Sequence, residues 1–337
     1  MIQNDNHPFI SVIIPVYNEE RYIDECIKSL LKQDYPKDKM KWIFVDGMSN
    51  DRTTEILGEY KTQYPHLITV LPNKNKTVPY AMNIGIEKAK GEYIIRLDAH
   101  AEYSHDYISK CVECLIRTGA DNVGGIAITK GRGFTGKCIA KMLSSRFGVG
   151  NSQFRTNGES GYVDTVPFGA FKRDVFEKWG NYDVRLTRNQ DNEMNYRIRK
   201  NGGKIYLSND IQFTYYCRDT VAGIGDMAMK NGKWNVITNK LCPGSMGIRH
   251  FVPLAFVLSI IILLILGFVH PAFMYLLYAE LLLYFTLDVF FSIKSASCVS
   301  EFFLLFILFP VFHVMYGIGS LKGLLSLINM EGKKHAV

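Results

Sequence analysis

Hydrophobic and polar positions change rhythm several times along this chain. Phe9-Ile-Ser-Val-Ile-Ile14 is a short, nearly continuous apolar run stopped by Pro15, the pattern of a buried strand. Between Glu19 and Gln33, the residues Tyr22, Ile23, Cys26, Ile27, Leu30 and Leu31 recur at helical spacing, with Asn18 placed to act as N-cap. The alternation continues through a strand at Trp42–Val45, a helix at Thr53–Tyr60 and a strand at Leu67–Leu71. A helix at Val78–Lys88 and a strand at Glu92–Leu97, closed by Asp98, complete it. Strands taking turns with helices imply an α/β fold with a parallel sheet, whose ligand crevice lies outside the carboxyl ends of the strands. Residues suited to chemistry sit at those ends: Asn18 and Glu19, Asp46, and Asp98 with His100. Residues 131–217 are less regular. Gly131-Arg-Gly-Phe-Thr-Gly136 follows a strand-like run at Val123–Ile128, but no acidic residue ends a second strand about twenty residues on, so it reads as a flexible loop and not a dinucleotide site. A helix from Met194 ends at Gly202 and Gly203.

The last quarter of the chain abandons this rhythm. Phe251 to Val269 carries no charge, and its length suits a helix crossing a bilayer core. Ala272 to Ile293 is long enough too but holds Glu280 and Asp288, and Phe302 to Ile318 holds His313 and Pro310. Three such runs in close order exceed what a soluble core hides. The expected organisation is a cytoplasmic domain over residues 1–250, a membrane region of two to three helices over 251–321, and a short polar tail over 322–337. Lys230, Lys233, Lys240 and Arg249, just before the first run, favour a cytoplasmic amino-terminal domain. Three crossings place Lys322, Lys333 and Lys334 outside, against the same tendency, so one run is open to a re-entrant or interfacial reading. The first apolar run is too short for a signal peptide.

Composition sharpens this division. Of 337 residues, 47% are hydrophobic and 21% charged, which excludes disordered, collagen-like and disulfide-scaffold classes. The formal charge of +7 lies entirely in the first 250 residues, because the remainder has four basic and four acidic side chains. No basic run with interleaved aromatics appears, so nucleic acid is not an expected partner, and an anionic lipid surface explains the charge more economically. Seven cysteines, an odd count without a framework, suit a reducing cytosol. Cys111 and Cys114 form a lone C-x-x-C on an amphipathic stretch, Tyr107 to Ile116; without a second pair they read as helix-face thiols and not a zinc site.

Three constellations carry candidate chemistry. In Asp98-Ala-His100, side chains two apart on an extended strand end project to one side and can share a divalent cation bound to a diphosphate, as Mg²⁺ or Mn²⁺ prefers. The alternative is an Asp that caps the next helix. Asp46 precedes Gly47-Met-Ser49-Asn-Asp51-Arg-Thr53, where a carboxylate can accept the imide N–H of uracil; helix capping there falls to Ser49 or Asp51. Asp191 and Glu193 open the helix that runs to Gly202, where carboxylates suit the helix dipole and where a general base would stand at the crevice mouth.

Together these features resemble glycosyltransferase family 2, inverting nucleotide-sugar enzymes of GT-A fold. The matching residues are Ile13-Ile-Pro15-Val-Tyr17-Asn18-Glu19, Val45-Asp46-Gly-Met-Ser49-Asn-Asp51-Arg-Thr53, Asn83-Ile-Gly85-Ile, and Gly91-Glu-Tyr-Ile-Ile-Arg-Leu-Asp98-Ala-His100. Lys76-Thr-Val-Pro79, Ser144-Ser-Arg-Phe-Gly148-Val-Gly150, Val166-Pro-Phe-Gly169-Ala and Arg188-Asn-Gln-Asp191-Asn-Glu193 are similar to the membrane-anchored branch that includes succinoglycan-biosynthesis glycosyltransferases. The resemblance implies a Rossmann-like, mostly parallel sheet flanked by helices, followed by a helical transmembrane region. It implies that Pro15, Tyr17, Glu19 and Asp46, with Ser49, bind the nucleoside of a UDP-sugar. Asp98 and His100 would hold Mn²⁺ or Mg²⁺ and the diphosphate, with Arg218 reaching the leaving diphosphate. Asp191 would be the catalytic base, and Phe168, Gly169 and Ala170 would line the acceptor side. His100 stands where many relatives have Asp, and the Q-x-x-R-W signature of processive synthases is absent, so one sugar per catalytic event is implied. The implied reaction is transfer to a polyprenyl-diphosphate-linked saccharide at a bacterial inner membrane, catalytic domain facing the cytoplasm, in surface polysaccharide synthesis. Transfer to bare polyprenyl phosphate and a non-catalytic nucleotide-sugar-binding subunit are the alternatives.

Overall fold

The computed structural model describes residues 7–156 and 158–334. β1 (Ile10–Val16) leads into α1 (Ile23–Leu31), β2 (Met40–Asp46) into α2 (Thr53–Gln63), and β3 (Ile68–Pro72) into α3 (Val78–Lys88). Then come β4 (Tyr93–Arg96), β5 (Ala101–Tyr103), α4 (Tyr107–Thr118) and β6 (Asn122–Lys130). α5 (Gly133–Leu143), α6 (Arg146–Val149), β7 (Gly161–Tyr162), β8 (Ala170–Lys172), α7 (Asp174–Trp179), α8 (Gln190–Lys200) and β9 (Ile205–Tyr216) follow. The chain closes with α9 (Val221–Leu241), α10 (Val252–Gly267), α11 (Pro271–Ser295) and α12 (Val299–Lys334).

The strands form one mixed sheet in the order β3-β2-β1-β4-β8-β6-β9-β5, with β7 also paired to β9. β3, β2, β1 and β4 are parallel, as the alternating pattern predicts. Beyond β4 the pairing turns antiparallel, because β8 runs against both β4 and β6, and β5 and β7 run against β9. β6 appears in the sequence as the run Val123–Ile128, whereas β5, β7 and β8, of two or three residues, are too short to show a period. β1 is central: Ile13 stands in register with Ile43 of β2 and Arg96 of β4. Ile10, Val12, Ile13 and Ile14 are fully buried, each large side chain contributing about 1.5–3 kcal/mol by leaving water. Gly85 lets α3 lie on that strand, since a Cβ there would stand 2.5 Å from Ile13 Cγ2.

The chain forms two compact units, residues 1–128 with 157–215, and residues 129–156 with 216–337. The segment read as a loop at Gly131–Gly136 runs into α5. The cause is packing: Cys138, Ile139, Met142 and Leu143 of α5 and Ile224 and Ala228 of α9 share one buried cluster with Leu305, Leu308, Phe309 and Phe312 of α12. The polar tail expected from residue 322 continues α12 as helix to Lys334.

Within this second unit, Pro271–Ser295 and Val299–Ile328 are long and apolar enough to cross a membrane, while Val252–Gly267 is shorter. The polar side chains inside them are engaged. His313 Nε2 faces the Phe147 carbonyl at 2.9 Å and must donate to it, so Nδ1 accepts from the Tyr284 hydroxyl, also at 2.9 Å. Asp288 is fully buried and accepts from Ser292 at 3.1 Å.

α9 and α12 approach closely through glycines. A Cβ on Gly232 would meet the Tyr316 carbonyl and lie 2.9 Å from Ser320 N, and one on Gly323 would lie 2.7 Å from the Lys233 carbonyl. Gly232→Ala is therefore expected to destabilise the helical unit by about 1–3 kcal/mol, the usual effect of overpacking. Gly247→Ala, in open space, is the control. Thermal unfolding in detergent checks this: equal midpoints for the two variants would contradict the close approach.

Candidate active site

The carboxyl ends of β1 and β2 are laced together by their own loops. Asn18 adopts a left-handed backbone, φ 55°, and does not cap α1, whose N-cap position is Tyr22. Its N–H donates to Ser49 Oγ at 2.9 Å, and its side-chain oxygen accepts from Asn50 N at 3.0 Å. Glu19 N donates to Thr53 Oγ1 at 2.7 Å, Glu20 N to Asp51 at 3.2 Å, and Arg52 N returns a bond to Glu20 at 3.1 Å. Polar loop residues thus satisfy each other's backbone, so the two strand ends form one rigid rim.

Asp46 serves that rim. Its Oδ1 accepts from Ser49 N at 3.0 Å and Ser49 Oγ at 2.7 Å, and Oδ2 accepts from Thr54 Oγ1 at 2.7 Å. With 6% of its surface exposed, both oxygens are committed inside the loop. Asp46 and Ser49 thus hold the loop at the end of β2.

A cleft of about 450 Å³ opens beside the rim, lined among others by Pro15, Tyr17, Glu19, Asp98 and His100. Five of the residues expected at a donor site therefore surround one space. Tyr17 offers an aromatic face that is 43% exposed. The Lys76 ammonium stands 5.7 Å over that ring, and Lys76 itself is left-handed, φ 62°. Gly47 packs beneath: a Cβ would lie 3.1 Å from Tyr17 Cδ2 and 3.3 Å from the Lys76 carbonyl. Thr77, N-cap of α3 without a side-chain cap bond, also lines the cleft. Its hydroxyl is buried and has no partner among the described residues.

At the far side, Asp98 is fixed through its backbone. Its N–H donates to Tyr103 Oη at 2.7 Å, and that hydroxyl donates back to the Asp98 carbonyl at 3.1 Å. His100 Nδ1 lies 3.3 Å from Glu19 Oε1. Among the described residues no group of three or more His, Cys, Asp or Glu converges. Asp98 and His100 on one cleft nevertheless fit a hard cation that takes its remaining ligands from phosphate oxygens and water. Cys26, beneath the Asp98 carbonyl at 3.9 Å, has its thiol pushed up to about 12 by burial and contributes no thiolate.

The residue that sequence reasoning missed is Arg96. It ends β4, is 3% exposed, and its guanidinium binds two carboxylates: Nη1 donates to Asp191 Oδ1 and Nη2 to Asp98 Oδ1, the latter at 3.2 Å. Burial works against its charge, but Asp191 and Asp98 more than offset this and hold it protonated. For Asp191, burial raises the carboxyl above its ordinary range, Arg96 pulls it down, and Asp98 adds to the rise. The available signal was an arginine within Glu92-Tyr-Ile-Ile-Arg-Leu97, an otherwise apolar strand.

Phe168, Gly169 and Ala170 support that arginine from below. Phe168 and Gly169 are both left-handed, φ 59° and 48°, which turns the Gly169 carbonyl to accept from Arg96 N at 3.0 Å. The Phe168 ring packs on Phe213 at 4.8 Å and lies 5.7 Å from the guanidinium carbon. Ala170 is buried. α8, which presents Asp191 in its first turn, is tied to the same segment, because Asn195 donates to Thr165 Oγ1 at 2.8 Å and to the Val166 carbonyl at 3.1 Å and accepts from Asn122 at 2.6 Å. Asn83 pairs both of its amide atoms with the Tyr182 backbone at 2.9 Å, a structural use of that motif. Arg218 lies in the second unit, exposed, just after β9.

Comparison with known proteins agrees with this architecture. A family profile described as Glycosyl transferase family 2 matches residues 11–180. The dolichyl N-acetyl-alpha-D-glucosaminyl phosphate 3-beta-D-2,3-diacetamido-2,3-dideoxy-beta-D-glucuronosyltransferase of Methanococcus voltae is 28% identical over 324 residues, covering 94% of this chain and 97% of that one. Succinoglycan biosynthesis protein ExoA of Rhizobium meliloti is 28% identical over 249 residues, covering 72% and 74%. Among solved structures, the mannosyltransferase PcManGT of Pyrobaculum calidifontis, in complex with GDP-Man and Mn²⁺, superposes with a TM-score of 0.61 at 19% identity, over 95% of this chain and 88% of that one.

The bonding of Asp46 makes a prediction about its loop-holding role. Asp46→Ala orphans the Ser49 and Thr54 donors and is expected to cost about 1–3 kcal/mol of stability. Thermal unfolding without nucleotide reads this directly. An unchanged midpoint would mean the carboxylate is not holding the rim.

Proposed function

The chain belongs to glycosyl transferase family 2 and has a GT-A fold, and on that premise we propose that it is a membrane-anchored, inverting glycosyltransferase that moves one sugar from a UDP-sugar to a lipid-linked saccharide. The observation that carries this reading is the convergence of Asp98, which lines the cleft, and Asp191, at the start of α8, on one guanidinium. One carboxylate belongs to the donor cleft and the other is free of it, as a diphosphate site and an acceptor base require.

The nucleoside lies in the cleft with its base against Tyr17. Uracil presents two carbonyl acceptors, and Lys76, which lines the cleft with its ammonium 5.7 Å over the Tyr17 ring, is placed to donate to one of them. Asp98 and His100 are the residues to hold Mn²⁺ or Mg²⁺ with the diphosphate; when bound, such an ion neutralises charge on the departing group. Asp191 takes the proton of the acceptor hydroxyl. The new bond forms from that oxygen to the anomeric carbon on the face opposite the nucleotide. The bond from the anomeric carbon to the phosphate oxygen breaks, and its electron pair leaves with UDP. One displacement inverts the configuration.

The acceptor class draws on the Methanococcus relative, whose name describes transfer to a dolichyl-linked sugar phosphate, and on the two long apolar helices. A saccharide on polyprenyl diphosphate at the cytoplasmic face of the membrane fits both, with Lys230, Lys233, Lys240 and Arg249 preceding α10 on the inner side.

Two variants and one product test the mechanism. Asp191→Asn is expected to lower kcat by about 10²–10⁴, the range for loss of a general base, with UDP affinity little changed. Asp98→Ala is expected to abolish metal-dependent UDP binding measured by calorimetry. The product of an α-linked donor is expected to show the β anomeric coupling in proton NMR. An α product would exclude single displacement, and full turnover with bare polyprenyl phosphate would replace the saccharide acceptor by the lipid phosphate.

A further inference from the structure

Arg96 stands apart from every other charged residue in the catalytic unit. It is the last residue of a strand whose four positions are all buried, and 4% of its side-chain surface is exposed. A lone cation at such a depth is costly, and a guanidinium is retained only where geometry and hydrogen bonds compensate. Here the fork is divided, with Nη1 on Asp191 and Nη2 on Asp98. Its backbone N–H is held by Gly169 and its plane lies near Phe168. Nothing about holding a strand together requires this arrangement. An apolar residue at the end of β4 would satisfy the sheet.

The two carboxylates have separate origins. Asp98 is two residues beyond Arg96 on the same strand end, whereas Asp191 comes from α8, ninety-five residues from Arg96. The guanidinium bridges the two, linking the donor cleft to the base. A side chain with two parallel donor arms fixes both the distance and the relative tilt of two carboxylates, which a point charge cannot do.

We propose that Arg96 is a positioning residue for the transfer: it aims Asp191 at the acceptor hydroxyl by anchoring the base's Oδ1 to the same group that holds the donor-side Asp98. With Oδ1 engaged, Oδ2 takes the proton. Misplacing a reacting group by about 1 Å costs on the order of 10²-fold in rate, and that is the effect assigned to Arg96. This rests on Asp191 being the base.

The test uses the full-length protein in detergent with Arg96→Met, Arg96→Lys, Asp191→Asn and the Arg96→Met/Asp191→Asn double variant. Each is measured for kcat, donor KM and UDP dissociation constant. Arg96→Met is expected to lower kcat by about 10²-fold, with UDP affinity within about threefold of the parent. Arg96→Lys, one charge without the fork, is expected to fall between, about tenfold below the parent. In the double variant the arginine no longer has a base to aim, so kcat is expected to match Asp191→Asn alone within about threefold. A structural role would instead multiply the two losses and lower UDP affinity as well. Parental kcat in Arg96→Met, or multiplicative loss in the double variant, overturns the proposal. If Arg96→Met does not fold, Arg96→Lys decides: parental kcat there overturns it, and a kcat loss with unchanged UDP affinity supports it. An Asp191→Asn variant with parental kcat refutes the base itself, an outcome visible without Arg96.

Discussion

A buried guanidinium between two carboxylates is the constraint on which the catalytic unit depends. Ion pairs at this depth lose hydration that their attraction only partly restores, so the surroundings of Arg96 must be fixed before the pair is worth forming. β4 supplies the strand end, the left-handed Phe168–Gly169 turn supplies a carbonyl and an aromatic floor, and α8 supplies Asp191. Asn195 then ties α8 back to Thr165 and Val166, next to that same turn. Each piece makes sense only with the others present, and all of them converge beside the cleft that Asp98 lines.

The rim of the cleft is built differently. Its loops are polar, partly exposed, and closed by short reciprocal hydrogen bonds among Asn18, Ser49, Asn50, Asp46 and Thr54. Such a rim tolerates water at its surface while staying rigid, which suits a site that must admit and release a charged nucleotide. In the proposed mechanism the depth of Arg96 serves to hold the base and the wetness of the rim serves to exchange the nucleotide.

The parallel half of the sheet was legible because β1 to β4 have clear periods and end in polar residues. Of the antiparallel half only β6 was legible, since β5, β7 and β8 are two or three residues long and depend on partners far away in the chain. The same limit explains α5: its glycines signal a loop locally, and only the cluster with α9 and α12 makes it a helix. Among site residues, Glu19, Asp98 and His100 could be grouped from strand-end position, while Pro15 and Tyr17 came from the family resemblance; all five line one cleft. Asp46 could be placed at a strand end from sequence, but its bonds to Ser49 and Thr54 show only in the structure. Arg96 was hidden because an arginine inside an apolar run has no partner that local sequence can name.

The central claim is that the cleft bounded by Tyr17 and Asp98 consumes a UDP-sugar. The most direct measurement is nucleotide release by the detergent-purified chain, incubated with panels of UDP-sugars and GDP-sugars in Mn²⁺, in Mg²⁺ and in EDTA. The account predicts selective release of UDP from one UDP-sugar, present with metal and absent in EDTA. Release of GDP alone, or neither binding nor turnover of any UDP-sugar, would contradict it.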